Sequence, residues 1–235
     1  MKRGVFLLSP DSNLRPRTET GSGSVDESLI KETARAFATA PRPFSQFMST
    51  QKLEQKHVAI LAADGFEQAE LEEPMNALKD AGAQVSIVSP KAGKIQGMHH
   101  AEKGDQFKVD LQLDKADCGD FDALLIPGGL MNPDELRSTP AAVEFAKSFA
   151  AAGKPIAAIC HGPWVLIEAG LVKGRRLTSW PAIQSDIKNA GGKWVDEEVV
   201  VDNGLVTSRK PDDIPAFNAK VIEEFAEGHH EGMAA

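Results

Sequence analysis

A cysteine and a histidine stand side by side where the chain is predicted to turn sharply. The segment Ala158-Ile159-Cys160-His161-Gly162 has a small residue two places before the cysteine and a glycine two places after it. This is the spacing of a nucleophile elbow, in which small neighbours let a strand and the next helix approach while the central side chain is pushed outward. The helix N-terminus and free backbone N–H groups favour a thiolate there. The segment therefore predicts nucleophilic chemistry at Cys160.

Two glycines end a second predicted strand, at Pro127-Gly128-Gly129. Because sites in open parallel sheets form outside the carboxyl ends of strands, this turn and Cys160 are expected at one edge. The backbone N–H groups of Gly129 and His161 are then placed to act as a pair of oxyanion donors. A buried cysteine is often inert and a Pro-Gly-Gly run is often only a turn, but the two together at one edge indicate a functional site.

His161 is the remaining candidate for the base that serves Cys160. His57 precedes a strand at the opposite edge, and the other histidines fall in a polar loop or in the tail: His99, His100, His229 and His230. An imidazole beside a thiol lowers the thiol pKa and transfers its proton, provided that a third group orients the ring.

Glu70 is the strongest carboxylate candidate. It lies about one turn into the helix that follows the first strand, and Pro74 deprives its carbonyl of the usual N–H partner. Glu67 fits a helix cap with Asp64 instead. The spacings of zinc ligands, of G-x-G-x-x-G and of a P-loop are absent from the sequence, so we expect neither a metal nor a nucleotide cofactor.

These residues need strands and helices to position them, and from residue 57 onward the sequence alternates the two. Short apolar runs predict strands, helical spacing separates them, and Asn203-Gly204 predicts a hairpin turn. Together they predict an α/β domain of the flavodoxin-like kind, a three-layer sandwich with a mostly parallel sheet and helices on both faces. The strand runs are 58–61, 85–88, 123–126, 155–159 and 199–207, and the helical stretches include 64–81, 142–150 and 214–225.

The domain is predicted to span residues 57–227. Residues 1–56 show no sustained periodicity and predict a disordered N-terminal extension, with Met48 as a candidate true start of translation. Residues 228–235 are predicted to be a flexible tail.

The net charge, the length of the apolar runs and the number of cysteines indicate which partners and which location are expected. The net charge of −8 makes a nucleic-acid partner unlikely, and the sequence has no apolar run of the roughly 20 residues that cross a bilayer. With only two cysteines there is no disulfide framework, so a cytoplasmic location is expected.

With these motifs in this order, the chain resembles the PfpI family. That family is the intracellular-protease branch of the class I glutamine amidotransferase-like superfamily, which also holds the parkinsonism-associated deglycase. The segments that carry the resemblance are Ala158–Pro163, Gly128-Gly129, Asp64-Gly65-Phe66-Glu67-x-x-Glu70, Thr178-Ser179-Trp180-Pro181 and residues 189–196.

The resemblance implies roles for these residues. Cys160 would be the nucleophile, hydrogen-bonded by the Glu70 carboxyl, and His161 would be the base. An acid from a neighbouring subunit would orient His161, which makes the active form a homo-oligomer, a dimer or larger. That acid corresponds to Asp134, with Glu135 as the fallback, and Asp in place of the usual Glu shortens the reach. Trp180 stands where the deglycase-like branch has a histidine, which favours the PfpI branch.

The predicted function is a cysteine hydrolase that protects against stress. Its substrate would be a peptide or protein, or a small carbonyl compound, as in peptidases, glyoxalases and protein deglycases. The alternative is a redox sensor or holding chaperone that uses an oxidisable Cys160 without turnover. An amidotransferase is disfavoured, because within residues 57–227 no His-x-Glu pair follows Cys160.

Overall fold

Buried strands of aliphatic residues form the centre of the domain. The computed structural model describes residues 52–233, so the predictions for residues 1–51, including Met48, lie outside the described part. The strands are β1 His57–Leu61, β2 Phe66–Glu67, β3 Gln84–Ser89, β4 Lys94–His99, β5 Glu102–Lys108, β6 Leu111–Gln112, β7 Ala123–Ile126, β8 Ile156–Ile159, β9 Arg176–Leu177, β10 Lys193–Trp194, β11 Val199–Asp202 and β12 Leu205–Ser208. The α-helices are α1 Gln68–Asp80, α2 Met131–Arg137, α3 Pro140–Ala151, α4 Pro163–Glu168, α5 Gln184–Asn189 and α6 Ile214–Glu227.

Seven of these strands form the main sheet, in the order β11-β12-β8-β7-β1-β3-β6. All neighbouring pairs are parallel except the β11–β12 hairpin, which turns at the predicted Asn203-Gly204. β7 and β8 are adjacent, with Ile126 paired to Ala158. The Gly-Gly turn and the Cys-His pair therefore leave the sheet side by side.

Helices cover both faces of the sheet. In β1, Ala59 and Leu61 pack into one apolar cluster whereas Val58 and Ile60 pack into the other, as the alternation of side chains along a strand requires. The first cluster contains α3 and α4, and the second contains the apolar stripes of α1 and α6. The predicted three-layer α/β architecture with a mostly parallel sheet is confirmed.

The polar region between β3 and β7 contains three strands, β4, β5 and β6. β4 and β5 form a three-stranded sheet with β2, where the sequence analysis placed a polar loop with His99 and His100. Asp64 belongs to this subdomain rather than to a helix cap: its carboxylate accepts from the Gln96 N–H at 2.8 Å and pairs with Lys91 at 2.6 Å. As a result, α1 starts at Gln68, after β2, and not at residue 64.

Residues 228–233 differ from the flexible tail that was expected. The His230 N–H donates to the Gly153 carbonyl at 2.8 Å, and the Arg175 guanidinium donates to the Met233 carbonyl at 3.2 Å. Met233 is 1% exposed. This segment therefore packs against the domain, and the two residues after it lie outside the described range.

Within residues 52–233, no helix has the length and apolar composition to cross a membrane.

Candidate active site

Cys160 lies on a strained turn between β8 and α4. Its φ is +61°, a left-handed conformation that costs a non-glycine residue roughly 1–2 kcal/mol. Two backbone hydrogen bonds hold it there: the Cys160 N–H donates to the Ser208 carbonyl at 3.0 Å, and the Trp180 N–H donates to the Cys160 carbonyl at 2.9 Å. The geometry is that of an elbow, with the side chain pushed away from the strand.

The glycines around the elbow are needed for close packing. A β-carbon on Gly162 would lie 2.7 Å from the Ile126 carbonyl oxygen, so only glycine lets the turn approach β7. A β-carbon on Gly128 would lie 2.7 Å from the Cys160 β-carbon and 2.9 Å from the His161 nitrogen. The two strand ends are therefore in direct contact, as the sequence predicted.

Both expected oxyanion donors face the sulfur. The backbone N–H groups of His161 and Gly129 interact with the Cys160 thiol and favour its negative form. Gly129 has φ +78°, and it packs so closely on the Gly65 carbonyl that a β-carbon would lie 2.4 Å from that oxygen. This fixes the direction of its N–H.

Asn132 holds the Gly-Gly turn in place, a role that sequence reasoning missed. Its side chain is fully buried, accepts from the Ala63 N–H at 2.7 Å, and donates to the carbonyls of Pro127 and Gly128 at 2.8 and 3.1 Å. One amide thus links the chain after β1 to the chain after β7. A buried amide that satisfies three backbone groups has no sequence signal, because its partners are remote along the chain.

Glu70 is buried directly against Cys160. One carboxyl oxygen, Oε2, accepts from the Gly128 N–H at 2.9 Å, and the other has no hydrogen-bond partner among residues 52–233. Burial is the main cause that raises the pKa of Glu70, from 4.5 to about 8, partly offset by the Cys160 thiol and the Gly128 N–H. Below that pH Glu70 is mainly a neutral carboxylic acid.

The same surroundings raise the pKa of the Cys160 thiol, first through burial and then through the Glu70 carboxylate. The N–H groups of His161 and Gly129 act in the direction that the sequence predicted and lower the thiol pKa, whereas burial and a charged Glu70 act against them. Glu70 in its protonated form removes the repulsion and supplies a donor to sulfur. A nearby base that takes the proton of Cys160 would offset the effect of burial.

His161 is positioned to be that base. Its Nδ1 lies 3.2 Å from the Cys160 sulfur. The ring sits between two indoles, stacked on Trp180 at 6.0 Å and tilted against Trp164 at 5.1 Å between ring centroids. Burial lowers the pKa of His161, so the imidazole is neutral and able to accept a proton near neutral pH.

The two predicted orienting acids do not reach His161 within this chain. Asp134 lies on α2 and is more than half exposed, and its carboxylate binds the Arg137 guanidinium at 2.7 and 3.0 Å. Glu135 is exposed on the same helix. Among the described residues, neither acid hydrogen-bonds the imidazole. The helix Met131–Arg137 that carries Asp134 was not predicted from the sequence.

A cavity of about 180 Å³ opens onto the sulfur. Its wall includes four residues that sequence reasoning did not assign to the site: His100, Leu130, Trp180 and Pro211. His100 was expected to be a solvated loop residue, and it is mostly exposed, but its N–H donates to the Glu67 carboxylate at 2.9 Å. This hydrogen bond places the β4–β5 turn at the rim of the cavity.

The chain is similar in sequence to proteins of a known family. The sequence profile described as the DJ-1/PfpI family matches residues 56–224. Deglycase TK1284 of Thermococcus kodakarensis is 45% identical over 166 residues, which cover 71% of this chain and 97% of the relative. General stress protein 18 of Bacillus subtilis is 44% identical over 169 residues, with 71% and 96% covered.

Solved structures agree in fold. The crystal structure of Drosophila melanogaster DJ-1beta is 29% identical, with a TM-score of 0.67, and the match covers 73% of this chain and 90% of that one. The resemblance to the PfpI family inferred from the motifs is confirmed.

Substituting Gly129 should disturb the site more than backbone strain alone explains. Gly129→Ala places a methyl group against the Gly65 carbonyl, whereas Gly170→Ala, at φ +74°, meets no atom within 4 Å. We expect Gly170→Ala to lower the free energy of unfolding by roughly 1 kcal/mol and Gly129→Ala by clearly more. Urea denaturation measures both, and equal losses would show that the close approach is not needed.

Glu70 should make stability depend on pH. Because its pKa is raised in the folded state, its contribution is complete below about pH 4.5 and is lost as pH rises through about 8. Relative to wild type, Glu70→Gln should therefore gain up to about 5 kcal/mol in unfolding free energy across that range, at about 1.4 kcal/mol per pKa unit. Urea denaturation at several pH values checks this.

The control is Glu73→Gln, which changes an exposed carboxyl on the same helix. Its stability should follow the wild-type curve at each pH. A Glu70→Gln curve parallel to wild type would contradict the raised pKa.

Proposed function

Because the chain belongs to the DJ-1/PfpI family, we propose that it is a cysteine-dependent hydrolase that removes small carbonyl adducts from amines. The observation that carries the proposal is the position of the Cys160 sulfur, which faces a cavity with His161 Nδ1 at 3.2 Å and two backbone N–H groups beside it. The relative named a deglycase supports this reaction class, and the relative named a general stress protein supports a protective role.

The first chemical step follows from these positions. In an adduct of an aldehyde with an amine, one carbon carries both the amine nitrogen and a hydroxyl group. The Cys160 sulfur forms a bond to this carbon as the carbon–nitrogen bond breaks, and His161 Nδ1 takes the thiol proton and passes it to the departing amine. The Gly129 and His161 N–H groups stabilise negative charge on the oxygen of this carbon. Water then adds to the carbon as the carbon–sulfur bond breaks, which releases the carbonyl compound as its hydrate and returns a proton to sulfur. Glu70, kept neutral by burial, adds no repulsion to the sulfur.

The size of the cavity favours a small substrate. About 180 Å³ is below the roughly 300–1,000 Å³ of pockets that enclose drug-sized ligands. Leu130, Trp180 and Pro211 make much of the wall apolar. An adduct of a few heavy atoms on an amine fits better than several residues of a peptide. Peptides and free glyoxals are the alternative substrates for the same nucleophile.

One observation favours the second candidate, a redox sensor. The donors around the Cys160 sulfur, namely the N–H groups of His161 and Gly129 and the protonated Glu70, would also hydrogen-bond the oxygens of an oxidised cysteine. The raised pKa of the thiol argues against it, because oxidation proceeds through the thiolate. Both cysteines are free, which fits the cytoplasmic location that we also propose.

We propose further that a second copy completes the site. The expected contribution is Asp134, on a helix whose first residues expose a large apolar surface: Leu130 is 62% and Met131 53% exposed. Leu130 also lines the cavity, so a partner that covers this surface would lie beside His161. A carboxylate supplied from there would orient the imidazole.

The catalytic proposal predicts that Cys160→Ser loses turnover by at least about 1,000-fold. The assay follows amine release from methylglyoxal-modified N-acetyl-lysine, with fluorogenic peptides run in parallel. Cys118→Ser, which changes the second cysteine away from the cavity, should keep the wild-type rate. Equal turnover by wild type and Cys160→Ser would disprove the hydrolase. Loss of both rates together with selective oxidation of Cys160 by peroxide would favour the sensor.

The shared site predicts complementation between inactive chains. Asp134→Asn alone should be at least about tenfold slower, whereas Glu135→Gln should not be. Co-expressed Asp134→Asn and Cys160→Ser chains should recover about a quarter of the wild-type rate in a dimer, since half the dimers are mixed and each holds one complete site. No recovery, or an active monomer in sedimentation, would exclude the arrangement.

A further inference from the structure

Three side chains converge at the carboxyl end of α6, far from Cys160. Glu224 and Glu227 lie in the last turn of this helix, and His230 lies just beyond it. One ligand atom from each lies within 4.8 Å of the other two. Carboxylate and imidazole are the ligand types that bind zinc and related divalent cations. The cluster packs where Gly153 and Gly204 precede β8 and β12, at the opposite end of these strands from the elbow.

The charge at this place is unbalanced. The carboxyl end of a helix carries partial negative charge and favours cations, yet the last turn of α6 holds two glutamates and no basic residue. Burial and the Glu227 charge raise the pKa of Glu224, whose side chain is only 10% exposed. Over residues 52–233, no lysine or arginine nitrogen lies within 4 Å of either carboxylate.

His230 supplies the second, independent observation. Its Nε2 atom is buried and has no hydrogen-bond partner in the described part of the chain. The closest contact with a carboxylate is Glu224 Oε2 at 3.6 Å, too long for a hydrogen bond. A buried ring nitrogen without a partner is costly, and it is aimed at two carboxylate groups.

The ring is also held in place. The His230 N–H donates to the Gly153 carbonyl, and a β-carbon on Gly204 would lie 2.7 Å from the imidazole, so the ring packs flat on the hairpin turn. The Asn203 side chain donates to the Glu231 carbonyl at 2.9 Å. The ligand atom of His230 is therefore positioned by contacts that do not involve the glutamates.

From this geometry we propose that Glu224, Glu227 and His230 bind one divalent transition-metal cation, with zinc as the preferred ion. Zinc–ligand distances of about 2.0–2.2 Å require the three atoms to draw together by a small movement of the exposed Glu227. Water would complete a tetrahedral shell. The bound ion would neutralise the end of α6 and fasten residues 228–233 to the domain, and it would take no part in chemistry at Cys160.

The test uses the untagged full-length chain, stripped of metal, and ZnCl2 as the probe. Equilibrium dialysis should show one tightly bound zinc in wild type and in Cys160→Ala, which removes binding by the active-site thiol. His230→Ala should bind this zinc at least about tenfold more weakly. The matched control is His229→Ala, because His229 is adjacent and exposed, lies against Gly153 and the Ala152 carbonyl, and is not part of the cluster. It should bind as wild type does.

Two further measurements test the proposal even if His230→Ala does not fold. Glu227→Gln changes an exposed side chain, so it should stay folded and still lose affinity even if His230→Ala does not fold. Zinc should raise the thermal midpoint of wild type and of His229→Ala but not of Glu227→Gln. Equal zinc binding by wild type, His230→Ala and Glu227→Gln, or equal loss in His229→Ala, would overturn the proposal.

Discussion

The close approach of two strand ends is the constraint on which the site depends. β7 and β8 are neighbours in the sheet, and the chain that leaves each of them must pass within van der Waals contact of the other. Only glycine at 128 and 162 permits this, because a β-carbon at either position would overlap backbone or Cys160 atoms. The contact brings a carboxyl, a thiol and two amide donors into one small volume. It also keeps Cys160 in a left-handed conformation that a free chain would avoid.

Burial shifts the pKa values of the three titratable groups at this site, Glu70, Cys160 and His161. Glu70 and Cys160 are two acids buried at the end of the cavity, and burial raises the pKa of both. Glu70 therefore holds its proton near neutral pH, while the neutral imidazole of His161 remains free to accept one. Reactivity in this arrangement comes from the transfer of a proton at the moment of attack. A resting thiolate would need the donors to outweigh burial, and in the single chain they do not.

The two ends of these strands differ in how their buried polar groups are paired. At their carboxyl ends, backbone partners satisfy the Asn132 side chain and one oxygen of the Glu70 carboxyl, and these contacts fix the geometry around Cys160. At their amino ends, the segment after α6 packs over the turns at Gly153 and Gly204, beside two glutamates that pair with no lysine or arginine of residues 52–233. At the carboxyl ends, these hydrogen bonds are all made within the chain. The amino ends have a buried ring nitrogen that still lacks a partner.

The sequence by itself determined the architecture and the centre of the site. Apolar runs of strand length, the Asn203-Gly204 turn and the small residues around Cys160 are local signals, so the parallel sheet, the elbow and the pairing of Gly129 with Cys160 could be predicted from them. Tertiary structure alone decided the helix at 131–137, the amide contacts of Asn132, the two indoles around His161 and the packing of residues 228–233. These features depend on burial and on partners that are remote along the chain, and a local pattern contains neither.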